Sequence, residues 1–198
     1  MPPKVKFERE NIINAAFNIV RKSGWQGLSA RAIAEELKSS TRPIYTHLKS
    51  MRNLEENVVK KAMALLEEYS SVKRTDDKWA DHGLGFIIFA KNEKQLFKAI
   101  VDEKHNHLYR KFSLEIFNKM GKELKDYPLF KDFPEERWNN LRIIRATVDH
   151  GIAFLLANSY EHESLSDEEL AWRIKATGDL LCMGLTAKIE KENAEKGT

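Results

Sequence analysis

The stretch "SSTRPIYTHLKS", residues 39–50, decides how this chain is read. Pro43 in its middle argues against a helix, because proline lacks the N–H that a helix interior needs. The objection lapses in a first helical turn, where that N–H would have no intrahelical acceptor. With Ser40 as N-cap, Pro43 falls near the third position, and Ile44 and Leu48, four apart, point to one side as core. Thr41, Arg42, Tyr45 and Thr46 then occupy other faces, giving a short helix with a polar, donor-rich start.

Before this stretch, apolar residues at helical spacing predict a helix over 8–22 that buries Ile12, Ala15, Ala16, Ile19 and Val20 and stops at Gly24. A second helix follows Ser29, a good N-cap, and runs to Leu37. Only Lys38 and Ser39 then precede the Ser40 cap, a tight turn of the helix-turn-helix kind. The second helix of such a pair can enter the major groove of DNA with its first side chains at base edges, while the first helix crosses the backbone.

Beyond it, helical spacing persists and no alternation of period two is sustained, so the fold class is all-α. A long helix starts at Asn53 and carries Leu54, Val58, Ala62, Leu65, Leu66 and Tyr69 to the polar break SSVKRTDD. Further helices are expected over 79–92, 93–101 and 103–125. After the turn-rich KDYPLFKDFP come two more, over 135–158 and 167–191, the last behind Ser166 as N-cap. We place a helix-turn-helix domain suited to DNA at 1–52 and a second, larger helical unit, opened by a connecting helix, at 53–198.

The 198 residues are 42% hydrophobic, enough for a sizeable core. One cysteine, Cys182, excludes an internal disulfide framework and points to a reducing, cytoplasmic setting. No apolar signal core follows MPPKVKFERE, and no apolar run reaches the roughly 18 to 20 residues of a membrane span, so no membrane partner is expected. The net charge of +3 is informative only in its placement. The first 56 residues hold ten Lys and Arg against six Asp and Glu, and the rest hold 23 against 24. The positive excess thus coincides with the helix-turn-helix pattern.

Residues 12–54, with Ile-x-x-Ala-Ala from Ile12, Gly24 and Gly27, the "LS-x-x-x-IA-x-x-L" helix, and "S-x-x-x-IY-x-HL" followed by Leu54, resemble the DNA-binding domain of the TetR family of transcriptional regulators. The resemblance implies a three-helix N-terminal domain, a divergent helical domain that binds a ligand, and a homodimer. Three positions depart from the family pattern: Lys38 stands where glycine is usual, Ser39 where a small apolar residue is usual, and Met51 where a backbone-contacting lysine is common, with Arg52 beside it. Lys38 therefore implies strain, a different turn or a phosphate contact. The stretch "GFIIFAKNEKQLFKAIV" resembles a pattern of the family's regulatory domains and places a helix break near Asn92.

Candidate DNA contacts follow from residue type and position. Arg42 is suited to direct readout, since a guanidinium can donate two hydrogen bonds to guanine. Ser40, Thr41 and Thr46 lie near it, Tyr45 and His47 match family positions that touch the DNA backbone, and Ser29, Arg31 and Lys49 are expected phosphate contacts. The expected partner is a double-stranded operator, palindromic if the protein is a dimer.

The last two helices carry more apolar residue types than a monomer core needs. Leu170, Ile174, Thr177, Leu181 and Leu185 form one seam, and Trp172, Ala176, Leu180, Met183 and Ala187 another. On the preceding helix Leu141, Ile144, Val148, Ile152 and Leu155 share one side, with Ile143, Phe154 and Ala157 elsewhere. One seam on each should face a twofold-related copy. We assign the Leu170 and Leu141 seams to that interface, with Gly178 and Gly184 permitting close approach. Phe86, Phe89, Phe97, Phe112, Phe117, Trp138, His150 and Phe154 are candidates to line a pocket for an effector of unknown identity.

No histidine pair has ligand spacing, and no phosphate loop, nucleophile elbow or paired-carboxylate motif occurs, so no metal, cofactor or catalytic residue is expected. The reading is a dimeric repressor released from its operator by a small molecule. Two alternatives stay open: a DNA-binding protein of the same fold that answers to a protein partner or organises DNA, and a helical carrier or enzyme without DNA binding.

Overall fold

The computed structural model describes residues 8–48, 50–124, 128, 130, 133–158 and 165–196. Its described residues are helical or connecting, as the periodicity predicts. In order they form α1 (Arg9–Ser23), a single 3-10 turn (Trp25–Gly27), α2 (Ala30–Glu36), α3 (Arg42–His47) and α4 (Met51–Ser71). Then come α5 (Lys78–Asn92), α6 (Lys94–Val101), α7 (Asn106–Glu123), α8 (Glu135–Ala157) and α9 (Asp167–Lys196).

The chain packs as two units, Met1–Leu66 with Glu93–Leu114, and Glu67–Asn92 with Glu115–Thr198. This division of packing does not follow a cut at 52/53. Most of α4 and all of α6 pack with the first three helices, because their apolar faces complete that core.

In the first unit α1 is central. Its Ile12, Ala16 and Val20 are fully buried with Ile33 of α2, Ile44 of α3, and Leu54 and Val59 of α4. Gly24 ends α1 with φ of 68°, a conformation that glycine adopts without steric cost. The Trp25 indole donates to the Ala99 carbonyl at 2.8 Å, and Arg21 grips the buried Glu93 carboxylate through Nε at 2.7 Å and Nη2, so α6 is pinned to α1 and the turn after it.

In the second unit α5 packs on α8 and α9. Every residue of α5 from Trp79 to Ala90 is buried except the half-buried Phe86. A Cβ on Gly85 would stand 2.3 Å from the Tyr69 carbonyl oxygen, so only glycine lets α5 lie against the end of α4. The inward stripe of α8 is Trp138, Leu141, Arg142, Arg145, Asp149, Ala153 and Leu156. The buried Arg145 donates from Nε to Asp149 at 2.9 Å, and burial raises the Asp149 pKa against the opposing pull of Arg145. Arg142 lies over the rings of Phe117 and Trp138, at 3.9 and 4.7 Å, and burial lowers its pKa to about 10. Ser166 caps α9 as expected. Its hydroxyl accepts from Glu169 N at 3.2 Å while Glu169 accepts from Ser166 N at 2.7 Å, a reciprocal box worth about 1 kcal/mol.

Candidate nucleic-acid interface

The helix-turn-helix expected from the sequence is present, with its start displaced. Ser29 caps α2 through its hydroxyl, which accepts from Ala32 N at 3.1 Å. The turn after α2 is a Schellman motif: Ser39 N donates to Ala34 O at 2.8 Å and Lys38 N to Glu35 O at 3.0 Å. Lys38 takes the left-handed residue of that motif, with φ of 49°. The turn is therefore the usual one, held by a lysine that bears the strain glycine would avoid.

Ser40 is not the N-cap of α3, which corrects the sequence reading. Thr41 holds that place, its backbone already near helical values at φ −71° and ψ −14°, and its hydroxyl caps nothing. α3 starts at Arg42, so Pro43 is its second residue and the missing N–H falls in the first turn.

Ile44 and Leu48 face inward, 1% and 6% exposed. Thr41, Arg42, Tyr45, Thr46 and His47 are all exposed, Tyr45 at 67%. Arg42, Tyr45 and Thr46 are related by three and four residues and so form one outward face. An exposed tyrosine with no apolar neighbour to cover it is unusual for packing and well suited to stack on or donate to an outside partner. The Thr46 hydroxyl donates to Arg42 O at 2.9 Å, which leaves its methyl group and lone pairs outward. Arg31 projects from α2 with its side chain 88% exposed, paired loosely with Glu35 at 3.2 Å. An exposed pair of this kind is weak and leaves Arg31 available. Ser40 is exposed beside α3, whereas Lys49 lies outside the described residues.

The apolar seams of α8 and α9 divide differently from the assignment made on sequence. Leu141, Leu170 and Ile174 are 3%, 0% and 0% exposed in the single chain, so they have no area left to give to a second copy. Val148, Ile152, Thr177, Leu181 and Leu185 are half-buried. Of the proposed interface only Ile144 and Leu155 are exposed. The exposed apolar surface belongs to the other seam: Ile143 and Phe154 on α8, and Trp172, Leu180 and Met183 on α9, the last three 68 to 70% exposed. Packing of α9 on α5 and α8 consumes the Leu170 side and turns the Trp172 side out. Gly178 faces inward against Arg145 and Trp79, while Gly184 has open space.

The aromatic pocket candidates do not converge on one site. Phe89, Phe97 and Trp138 are core, Phe89 edge-to-face with Tyr69 at 5.6 Å and Trp138 stacked with Phe130 at 6.0 Å. Phe86 is half-buried against the ring of His150 at 4.5 Å, but His150 itself and Phe154 are on the surface. Phe117 supports Arg142, and the half-buried Phe112 belongs to the first unit. Among the described residues no group of three metal-ligating side chains gathers, and no helix is long and apolar enough to cross a membrane.

No protein-family profile matches the chain. The tetracycline repressor protein class C of Escherichia coli is 32% identical over 74 residues, 37% of this chain, and the chain spans about a third of that repressor's length. Over nearly the whole chain the likeness is structural. A transcriptional regulator from Rhodococcus sp. Rha1 matches with a TM-score of 0.67 at 16% identity, covering 90% of this chain and 97% of that one. A TetR regulator from Streptomyces coelicolor matches at 0.63 with 19% identity, over 91% and 98%. One described as a putative TetR family regulator from Vibrio parahaemolyticus matches at 0.57 with 20% identity, over 87% and 97%. The chain therefore has the all-α fold of the TetR-type transcriptional regulators.

Proposed function

We propose that the protein is a sequence-specific DNA-binding transcriptional regulator, a homodimeric repressor that a small-molecule effector releases from its operator. The observation that carries this reading is the face of α3. Six residues fold into a helix whose inner side is core and whose outer side offers Arg42, Tyr45, Thr46 and His47 without a protein partner to cover them. Arg42 supplies base readout, and Thr41, Tyr45, His47 and Arg31 hold the phosphates. The first unit's positive excess supports the same assignment.

A single short helix reads too few base pairs to specify a site, so the reading requires two copies. The exposed seam of Ile143, Phe154, Trp172, Leu180 and Met183 is the surface we assign to that dimer. The helix α4, which contributes residues to both packing units, is the lever by which an effector displaces the reading helices. DNA must then weaken effector binding by the same factor.

Selection of bound duplexes from a random pool tests the proposal. It predicts a twofold-symmetric site with half-sites roughly 10 base pairs apart, centre to centre. Failure to enrich any sequence would refute it.

A further inference from the structure

The end of α4 and the start of α5 border a cleft of about 480 Å³. That is within the range of small-molecule sites, roughly 300 to 1,000 Å³. None of the aromatic candidates lines it. His82 forms part of its wall, with a side chain 7% exposed; the Ser70 backbone lies against its ring, and neither nitrogen has a well-formed hydrogen bond. A buried ring with bonding capacity left over is costly, so it marks a place where a ligand gains by supplying a partner.

The charges around the ring select the ligand. Lys78 and Asp81 lie on α5 with it, Glu123 at the end of α7, and Lys73 and Asp76 on the connection from α4. Carboxylates outnumber ammonium groups, and α4 and α7 both end here, adding the negative ends of two helix dipoles. Asp81 is occupied, because its Oδ1 accepts from Thr75 N and Oγ1 at 2.7 and 2.8 Å. Glu123 is the carboxylate within reach. Its Oε2 stands 3.8 Å from His82 Nε2, too far for a hydrogen bond between them, yet one donor atom carrying two hydrogens fits between both. Burial lowers the His82 pKa against the upward pull of Glu123, so at neutral pH the ring keeps a lone pair to accept with. An ammonium group already sits on this carboxylate: Lys78 Nζ is 3.1 Å from Oε2, in a half-exposed pair that is readily displaced.

We propose that the cleft bordered by Ser70, His82 and Glu123 binds a small organic cation, whose primary ammonium takes the place of Lys78 and donates to the His82 ring and the Glu123 carboxylate. The cleft also has a route to regulation. Gly85 packs against the backbone of Tyr69 and Ser70 with no room for a methyl group, so a ligand lodged at Ser70 displaces the end of α4. This second step rests on the regulator reading above, whereas the binding step does not.

Calorimetric titration of the full chain with phenethylamine, phenethyl alcohol and phenylacetate separates the ligand classes. The amine is expected to bind at least tenfold more tightly than the alcohol, and the carboxylate more weakly still. Glu123→Gln should cost at least tenfold in amine affinity, and Lys78→Met, by removing the competing ammonium, should raise it several-fold. Amine affinity should fall as the pH drops below the ordinary histidine value of about 6.5, as the protonated ring repels the ligand. Circular dichroism confirms that each variant is folded. Equal binding of alcohol and amine, preference for the carboxylate, weaker amine binding by Lys78→Met, or no amine binding at millimolar concentration would overturn the site. Amine binding that leaves DNA affinity unchanged would overturn the coupling to α4, and amine binding by a protein that selects no DNA would overturn the regulator reading while leaving the site.

Discussion

α3 and α9 stand at two extremes of what a helix in this chain exposes. α3 has six residues, hides Ile44, and turns out an arginine, a tyrosine, a threonine and a histidine. α9 has 30 residues, hides Leu170 and Ile174, and turns out Trp172, Leu180 and Met183. Each is stabilised by burying one side, and each leaves a second side that water serves poorly or that serves water poorly. An uncovered apolar stripe gains about 25 cal/mol for each Å² removed from water, so it calls for a shape-matched apolar partner. A face of cations and hydroxyl groups gains little from apolar cover and is matched by phosphates and base edges. The difference calls for two kinds of partner by one rule.

The largest test breaks the apolar side. Replacing Trp172 and Leu180 together by Asp removes, from each of the two subunits, two side chains worth about 1.5 to 3 kcal/mol each when buried, so the dimer should weaken by at least about a thousandfold. Sedimentation should show monomers, with the helical spectrum unchanged and operator affinity falling too. Retention of the dimer would move the interface elsewhere.

The buried seam should behave in the opposite way. Ile174→Ala should cost about 2 to 5 kcal/mol in fold stability, read by urea unfolding below the concentration where subunit exchange matters, while the assembled fraction of the folded protein stays the same. On the polar side, Arg42→Ala should cost about 1 to 3 kcal/mol on the selected duplex and far less on a scrambled one. Equal losses on both would make Arg42 a phosphate contact. The smallest effect concerns the turn that aims α3. Lys38→Gly should stabilise the protein by about 0.5 to 1 kcal/mol, because glycine relieves the left-handed strain but loses more freedom on folding.

Much of this was legible in the residues. The position of Pro43, the caps at Ser29 and Ser166, and the stop at Gly24 are local effects, and local effects are written in neighbouring letters. The cap of α3 was misplaced by one residue because a serine and a threonine stand side by side there and either could serve; backbone angles decide for Thr41. The seam left exposed for a second copy differs from the expected one for another reason. Both sides of α9 are apolar, and periodicity cannot say which one α5 and α8 cover. Arg142, Arg145 and Asp149 were missed as core because charged residues interrupt a hydrophobic pattern even when they lie on its buried stripe. Their spacing of three and four with Trp138, Ala153 and Leu156 was the available signal. His82 gave less, since a histidine between Asp81 and Gly83 says nothing about the carboxylate of Glu123, 41 positions away.

The central claim is that α3 reads sequence, and competition binding tests it most directly. The full chain is titrated at physiological salt with the selected duplex and with a scrambled duplex of the same length and composition. The account predicts that the selected duplex binds at least about a thousandfold more tightly. A ratio near one, with both affinities falling alike as salt is raised, would show a protein that holds phosphate without reading bases and would contradict it.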